Sequence, residues 1–260
     1  MHPAKQGEAM KGQQASPEVN IHEQRPENAS RFFIPIKKIG RFFGKTAAYF
    51  FTGSVLLVLI FRFVNPPVTY LMIKRTMTQL TEKKPVKLQK KWVSIDHISP
   101  HLVQAVVAAE DNNFLFHRGI DMEAIRKAWK LNERSRHLHG ASTITQQTAK
   151  NVFLWPTRSY VRKTFELYFT ALIEIFWGKK RIMEVYLNVV ETGNGLYGAE
   201  AASQAYFHKP AANLNASEAA LLAAILPSPR KRDPAHPSAY LINRSASILE
   251  RMNKIEKIKW

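Results

Sequence analysis

The chain has 260 residues, 45% of them hydrophobic, and a formal net charge of +18 from 38 Lys and Arg against 20 Asp and Glu. This hydrophobic content excludes wholesale disorder and leaves room for one domain of fair size with appendages. The charge favours polyanionic partners such as nucleic acid, anionic lipid or pyrophosphate, while the absence of cysteine excludes disulfides and thiolate metal sites without fixing a compartment.

Residues 1–45 form a polar, basic N-terminal segment, and residues 46–64 form an apolar run whose one charge is Arg62, near its far end. A run of this length matches the hydrocarbon core of a bilayer and predicts a transmembrane helix. The entry to the run is basic, with Arg31, Lys37, Lys38, Arg41 and Lys45. The positive-inside rule therefore favours a cytoplasmic N-terminus and an outer location for everything after about residue 65. The alternatives are a cleaved signal peptide and a buried core helix.

Residues 65–94 are predicted to be a membrane-proximal connector, because prolines interrupt them and a basic run follows. Each basic side chain near an anionic lipid surface is worth about 1 kcal/mol, although a solvated linker has the same composition. A two-residue alternation at 91–95 is the one strand signal. Residues 95–260 then form the remaining domain.

Caps and helical periodicity predict that this domain is mainly α. Helices are expected after Ser99, after Asp121, after Ser142 or Thr143, from Tyr160 to Trp177, from Lys179 to Val190, after Asn215 and after Ser238. The polar stretch 132–141 is expected to be an exposed loop.

Glu110 ends an otherwise apolar predicted helix. It lies seven residues after Val103 and four after Val106, which places it on the buried face. Burial and the negative end of the helix dipole both favour the protonated carboxyl, so Glu110 is a candidate general base near neutral pH. The alternative is a solvated helix end with two adjacent acids, Glu110 and Asp111.

Two further clusters combine polar and cationic side chains. Thr143, Gln146, Gln147 and Lys150 share one helical face, which suits sugars and phosphates but also an ordinary solvated face. Arg158, Arg162 and Glu166 recur at four-residue spacing, and Lys163 lies three residues before the acid. These cations either pair with a structural Glu166 or surround a second active-site carboxylate.

Taken in order, these blocks resemble the peptidoglycan glycosyltransferases of glycosyltransferase family 51. The family run Glu-Asp-x-x-Phe-x-x-His-x-Gly is present at 110–119, Gly-x-Ser-Thr-Ile-Thr-Gln-Gln-x-x-Lys-Asn at 140–151, Arg-Lys-x-x-Glu at 162–166 and Glu-x-Tyr-Leu-Asn at 184–188. A weaker final block at 243–252 has Asn243 where the family usually has a basic residue. The resemblance covers about residues 95–252.

The resemblance implies a lysozyme-like glycosyltransferase domain behind one N-terminal transmembrane helix. Its implied reaction polymerises lipid II into β-1,4-linked glycan and releases undecaprenyl pyrophosphate. The chain stops at Trp260, without room for a transpeptidase domain, so it resembles the monofunctional enzymes. The implied location is the bacterial inner membrane, with the catalytic domain periplasmic. The implied partners are lipid II, the growing lipid-linked glycan, the membrane, and cell-wall synthesis or division proteins.

By resemblance, Glu110 is the catalytic base, and Glu166 is a second catalytic residue that orients the basic cluster or the donor. The pyrophosphate would be held first by Lys150 and Arg158, then by Arg162 and Lys163. The other substrate-binding residues implied are Asp111, Phe114, His117, Gln146, Gln147 and Asn151. Asp111 and His117 are interpreted as supports, with a satisfied buried imidazole as the alternative for His117. No cofactor is assigned, and a divalent Mg or Mn ion near Glu166 is left open.

Two rival functions are weaker on these residues. A lysozyme-type hydrolase uses a helix-end Glu, but it needs no cationic group for a pyrophosphate. A membrane-anchored nucleic-acid-binding protein accounts for the charge, but aromatic side chains are not interleaved with the basic ones. We therefore expect no nucleic-acid partner.

Overall fold

The computed structural model describes residues 36–133, 140–157 and 159–260. Over these ranges the fold is mainly α, as predicted. The helices are α1 Ile36–Phe63, α2 Tyr70–Thr81, α3 Pro100–Glu110, α4 Met122–Asn132, α5 Ile144–Phe153, α6 Tyr160–Phe176, α7 Lys179–Val189, α8 Ala199–Phe207, α9 Ala216–Ile225 and α10 Ala239–Met252. The strands are β1 Gln89–Lys90, β2 Glu191–Gly193 and β3 Leu196–Tyr197.

Within the described residues the N-terminal helix α1 covers Ile36–Phe63, so it includes residues 46–63 of the predicted span and the basic residues just before them. Its stretch Gly40–Phe63 is long and apolar enough to cross a membrane, which indicates single-pass anchoring. The larger compact unit of the chain runs from Phe50 to Trp260 and so includes the second half of α1. The described residues before it, 36–49, are helical.

Local capping explains where the main helices begin. The Ser99 hydroxyl accepts from the backbone N–H of His101, and Pro100 occupies the first helical position of α3. Helix α5 starts with a reciprocal capping box between Thr143 and Gln146, and α9 starts with one whose first residue is Asn215. These helix starts were predicted from sequence and are confirmed.

The helices of the larger unit form two groups that meet near the end of α3. Helix α3 packs against α9 and α10, and α5 packs against α6 and α7. Each group has a fully buried aliphatic core, including Ile225 and Ile248 in the first and Ile144 and Ile173 in the second. The C-terminal end of α3 thereby meets the N-terminal half of α5, where the sequence places its polar clusters.

The segment predicted as a connector contains regular structure. Thr69 caps helix α2 by accepting from the N–H of Met72, and β1 lies at Gln89–Lys90. The strand signal at 91–95 is wrong, because a 3-10 helix occupies Ile95–His97. Strand β1 pairs in parallel with β3, which pairs antiparallel with β2. Two-residue strands held by distant partners leave no alternation for the sequence to reveal.

Candidate active site

Glu110 is the last residue of α3 and is half-buried rather than fully buried. The Gln147 side-chain amide donates to Glu110 Oε2 at 2.8 Å. The Tyr186 hydroxyl donates in turn to Gln147 Oε1 at 3.3 Å. Burial raises the pKa of Tyr186 well above its usual value, and the charges of Glu110 and Asp111 add to the effect. Tyr186 therefore remains a neutral donor that orients Gln147.

A polar cavity of about 260 Å³ lies beside Glu110. It is lined by residues from the end of α3, the turn after it, α4, the segment 140–143 before α5, and α10. Among them are Asp111, Asn112, Asp121, Lys127, Ser142 and Arg251. Within the described ranges Glu110 Oε1 has no hydrogen-bond partner, whereas Oε2 is held by Gln147. One carboxylate oxygen is therefore fixed, and the other is free to take a proton from a bound group.

Arg251 is a cavity residue that the sequence did not assign to the site. It projects from α10, and its pKa is lowered by burial and by the charge of Arg244, an effect that Glu110 opposes. The sequence signal for Arg251 is the final motif block at 243–252, in which no side chain was assigned a role. The contact with the cavity depends on how α10 packs against α3, which is a tertiary property.

Asp111 and His117 brace the turn that follows Glu110. His117 Nε2 lies 2.9 and 3.0 Å from the two carboxylate oxygens of Asp111, and His117 Nδ1 accepts from the N–H of Gly119 at 3.1 Å. The proton therefore sits on Nε2, which donates to Asp111. Asp111 also accepts from the N–H of Ile144 at 3.0 Å, which ties the turn to α5. These contacts agree with a supporting role, and direct substrate contact remains a prediction.

Phe114 and Gln146 are buried within the scaffold. Phe114 is fully buried, and the Lys179 ammonium lies 4.7 Å from its ring centroid. The Gln146 side chain accepts from the N–H of Thr143 and completes the cap of α5. Their contacts stabilise the turn and the helix start, so substrate roles for both residues rest on the resemblance alone.

The block at 184–188 holds the chain that leads into α3. Glu184 Oε2 accepts from the N–H of Ile95 at 3.0 Å. Asn188 accepts from the N–H of Val93 and donates to its carbonyl, both at 2.9 Å. This block therefore positions the scaffold around the site.

Lys150 is a half-buried cation close to both acids of the site. Burial lowers its pKa, and the charges of Glu166 and Glu110 oppose that effect. Among the described residues no side chain or carbonyl forms a hydrogen bond or ion pair with its ammonium group. Asn151, the next residue, lines a second cavity together with Lys150.

Glu166 is only 3% exposed and is paired with two cations of its own helix. Arg162 Nη1 donates to Oε2 at 2.5 Å, and the Lys163 ammonium donates to Oε1. Both carboxylate oxygens are thereby occupied, so the site does not fit a divalent ion without breaking these pairs. No group of three metal-binding side chains occurs in the described part of the chain. Arg158, the fourth predicted cation, lies outside the described residues.

These features define a class of enzyme. Among the described residues, a carboxylate with one held and one free oxygen lies at a polar cavity, and Lys150 lies near it. The mainly helical unit that carries this site includes the second half of an apolar helix. Such a site suits transfer of a group away from an anionic leaving group. Residues 75–253 match the family model described as Transglycosylase, and the chain belongs to this family.

Relatives from several bacteria carry the same name, "Biosynthetic peptidoglycan transglycosylase". The chain is 50% identical to the relative from Bacteroides thetaiotaomicron over 224 residues, which cover 86% of this chain and 90% of the relative. It is 53% identical to the relative from Caulobacter vibrioides over 196 residues, or 75% and 83% of the two chains. For the relative from Bdellovibrio bacteriovorus the values are 50% over 208 residues, 80% and 83%. These matches confirm the family resemblance drawn from the sequence.

Proposed function

We propose that this chain polymerises lipid II into β-1,4-linked glycan strands and releases undecaprenyl pyrophosphate. The observation that carries the proposal is the hydrogen bond from Gln147 to Glu110, which leaves one carboxylate oxygen free beside the polar cavity. The names of the relatives support the substrate class.

In this reaction Glu110 is the base. Its free oxygen takes the proton of the acceptor sugar's 4-hydroxyl as that oxygen bonds to the anomeric carbon of the donor. The bond from the anomeric carbon to the pyrophosphate oxygen breaks in the same step, so the configuration at that carbon inverts. The cavity beside Glu110 holds the acceptor sugar, and Gln147 fixes the carboxylate in the orientation that receives the proton.

The cations beside Glu110 stabilise the leaving group. The pyrophosphate gains negative charge as its bond to the sugar breaks, and cations already in place lower the energy of that transition state. Lys150 is suited to this role because its ammonium group forms no direct ion pair among the described residues, whereas Arg162 and Lys163 are held by Glu166. Glu166 is thus a positioning residue for two of the cations, and Arg158 is proposed as a further phosphate ligand from the motif alone.

The same proposal includes the topology. The N-terminus is cytoplasmic, α1 crosses the inner membrane once, and the catalytic unit lies on the outer side, where it works on lipid-linked glycan. The basic residues before the apolar stretch support this orientation. Association with other cell-wall synthesis or division proteins is a further prediction.

The decisive experiment incubates the purified full chain in detergent with labelled lipid II and compares it with Glu110→Gln. We expect wild-type protein to form polymer that a muramidase digests, and the variant to form essentially none. Glu250→Gln is the matched control, because Glu250 is an exposed acid paired with Lys254. Cleavage of preformed glycan without polymer formation would instead identify a lysozyme-type hydrolase, and polymer from Glu110→Gln at the wild-type rate would remove Glu110 from its role.

A further inference from the structure

The outer end of α1 is a helix terminus whose carbonyl groups need donors from elsewhere in the chain. The last carbonyls of an α-helix have no partner within it, and Pro66 and Pro67, which follow α1, have no N–H to offer. A membrane span leaves the hydrocarbon at this point, where an unpaired carbonyl is costly. Side chains of the catalytic unit supply the missing donors.

Arg181, on α7, caps α1 from a distant part of the sequence. Its guanidinium donates to the carbonyls of Phe61 and Val64, each at 2.9 Å. Another of its N–H groups donates to the Asn65 side chain at 2.9 Å. The Arg181 side chain is only 15% exposed, and a cation is the charge that the negative end of a helix dipole favours. Arg181 therefore holds the last turn of α1 against α7.

Lys90, on β1, holds the residues that follow. Its ammonium group donates to the carbonyl of Pro67 at 2.9 Å and also to that of Pro66. The Trp92 ring contacts both cations, since its centroid lies 5.4 Å from Lys90 Nζ and 5.4 Å from Arg181 Cζ. These three residues, Lys90, Trp92 and Arg181, form an exit clamp on α1. It fixes residues 61–67 to the catalytic unit at two separate points.

The exit clamp is connected to the helix that carries Glu110. Arg181 Nη1 also donates to Glu184 Oε1, and Glu184 Oε2 accepts from the N–H of Ile95 at 3.0 Å. Ile95 begins a 3-10 helix, and Ser99, the N-cap of α3, follows that helix after one intervening residue. Glu110 is the last residue of α3. A short series of contacts thus runs from the outer end of α1 to the element that presents the base.

A fixed exit determines the height of the active site over the bilayer. A lipid-linked substrate presents its pyrophosphate at the membrane surface, at a depth that the bilayer sets. With a free hinge at the end of α1, the site would sample a range of heights, and a misplacement of about 1 Å can cost about 100-fold in rate. The exit clamp removes this freedom.

We infer that Arg181 and Lys90 are positioning residues that hold the outer end of α1 and the catalytic unit in one arrangement, so that Glu110 lies at the depth where the bilayer presents the pyrophosphate of lipid II. Neither residue lines the cavity beside Glu110, so both act through the placement of the helices. The inference rests on the proposed function and gives the membrane anchor a part in substrate presentation.

The test compares two substrates for the full chain. Lipid II is supplied in vesicles of phosphatidylglycerol and phosphatidylethanolamine that contain the protein, and a water-soluble, short-chain lipid II analogue is supplied in detergent. We expect Lys90→Gln and Arg181→Gln to lower the rate in vesicles by about 10-fold and to leave the rate in detergent unchanged, because only the vesicle holds its substrate at a fixed depth. Lys180→Gln, which removes an exposed ion pair with Asp96 next to Arg181, should match wild type in both assays.

Melting temperatures separate positioning from stability. If the clamp only stabilises the fold, both rates fall together and the melting temperature falls with them, which overturns the inference. Wild-type rates in vesicles for both folded variants overturn it as well. Lys90→Gln leaves the ion pair between Arg181 and Glu184 in place, so it decides the matter if Arg181→Gln does not fold. Arg181→Lys keeps a cation and should recover part of the rate in vesicles.

A depth measurement tests the clamp independently of activity. The chain has no cysteine, so Ile73→Cys, at a 51% exposed position of α2, accepts a single fluorophore. Quenching by brominated lipids should give one depth for this probe with Arg181 intact and a wider range of depths in Arg181→Gln. The same depths in both proteins would overturn the inference. Absence of polymer from wild-type protein with either substrate would instead reject the proposed function, and the probe would still report on the clamp.

Discussion

Gln147 determines how the carboxylate of Glu110 is presented. We expect Gln147→Ala to lower the kcat of lipid II polymerisation by about 10- to 100-fold, because a hydrogen bond to a charged group is worth about 1.5–3 kcal/mol. The expected change in KM is small, since the carboxylate acts in the transition state of proton transfer and contributes little to binding of the ground state. Steady-state kinetics in detergent measure both quantities.

Tyr186 provides a graded comparison for the same hydrogen-bond chain. Tyr186→Phe removes only the hydroxyl that lies 3.3 Å from Gln147, so its effect on kcat should be smaller than that of Gln147→Ala. A larger loss in Tyr186→Phe than in Gln147→Ala would mean that the hydroxyl contacts the substrate. Melting curves of both variants show whether the helices still pack.

Lys150 should set the alkaline limit of activity. Burial lowers its pKa below 10.5, with Arg162 and Lys163 acting in the same direction and Glu166 and Glu110 opposing them. The ammonium form binds pyrophosphate, so its contribution is present below that pKa and is lost as the pH rises through it. The pH–rate profile should therefore fall at a lower pH than an ordinary lysine would give.

Lys150→Arg is the variant that tests this assignment, because a guanidinium stays charged across the accessible range. We expect the alkaline limb to move to higher pH in this variant, even if its maximal rate is reduced. Lys180→Arg, at an exposed lysine paired with Asp96, should leave the limb where it is in wild type. If the alkaline limb of the pH–rate profile stays at the same pH in Lys150→Arg, the titration that causes the limb belongs to another group.

Among the structural elements, the turn between α3 and α4 depends on one glycine. Gly119 has φ +86°, and an added Cβ would lie 2.6 Å from Thr170 Cγ2 on α6. Its carbonyl also accepts from the Thr143 hydroxyl at 2.6 Å. We expect Gly119→Ala to lower the free energy of unfolding by at least about 2 kcal/mol, since backbone strain costs about 1–2 kcal/mol and the clash adds to it.

Chemical or thermal unfolding of the detergent-solubilised chain measures this loss. Gly140→Ala is the matched control, because an added Cβ there meets none of the described residues within 4 Å. Combining Gly119→Ala with Thr170→Ser removes the clashing methyl and keeps the hydroxyl, so it should recover the steric part of the loss but not the backbone part. Equal stability of the two glycine variants would contradict the strained turn.

The elements that sequence predicts well are those encoded locally. Caps such as Ser99 and Asn215 and the apolar periodicity of α3 act within one or two turns, so the helix starts can be read directly. Glu110 was predicted to lie on the buried face of its helix, and it is half-buried there, because the period gives its face but not the cavity that opens beside it.

Contacts between distant elements could not be predicted in this way. Arg75 lines the cavity at Lys150, and Arg251 lines the cavity at Glu110, only because α2 and α10 pack where they do. Arg75 lies in no motif, and the motif block at 243–252 does not distinguish Arg251 from its neighbours. Gln146 and Gln147 are adjacent in sequence, yet one caps a helix and the other holds Glu110. The resemblance identified the motif, and the packing separates supporting from reacting side chains.

At the scale of the whole molecule, the second half of the apolar helix is integrated into the unit that carries the site. Val58 is fully buried, and its carbonyl accepts from the Trp177 indole at 2.8 Å. Arg181 donates to the carbonyls of Phe61 and Val64, and the Ser54 and Tyr168 hydroxyls lie 2.6 Å apart. The sequence predicts this stretch only as a membrane span, because its composition does not reveal which of its apolar side chains contact the rest of the protein.

These contacts predict unequal effects for two apolar residues of one helix. Val58→Ala leaves a cavity inside the folded unit and should cost about 2 kcal/mol, which lowers the melting temperature by about 4–8 °C. Leu56→Ala changes a side chain that is 54% exposed and should have little effect. Both variants keep the span apolar, so we expect them to insert equally well into a membrane. The melting temperatures of the two full-length variants in the same detergent are then compared. If the two variants melted alike, the helix would serve only as an anchor; a selective loss in Val58→Ala means that anchoring and folding of the catalytic unit share the same residues.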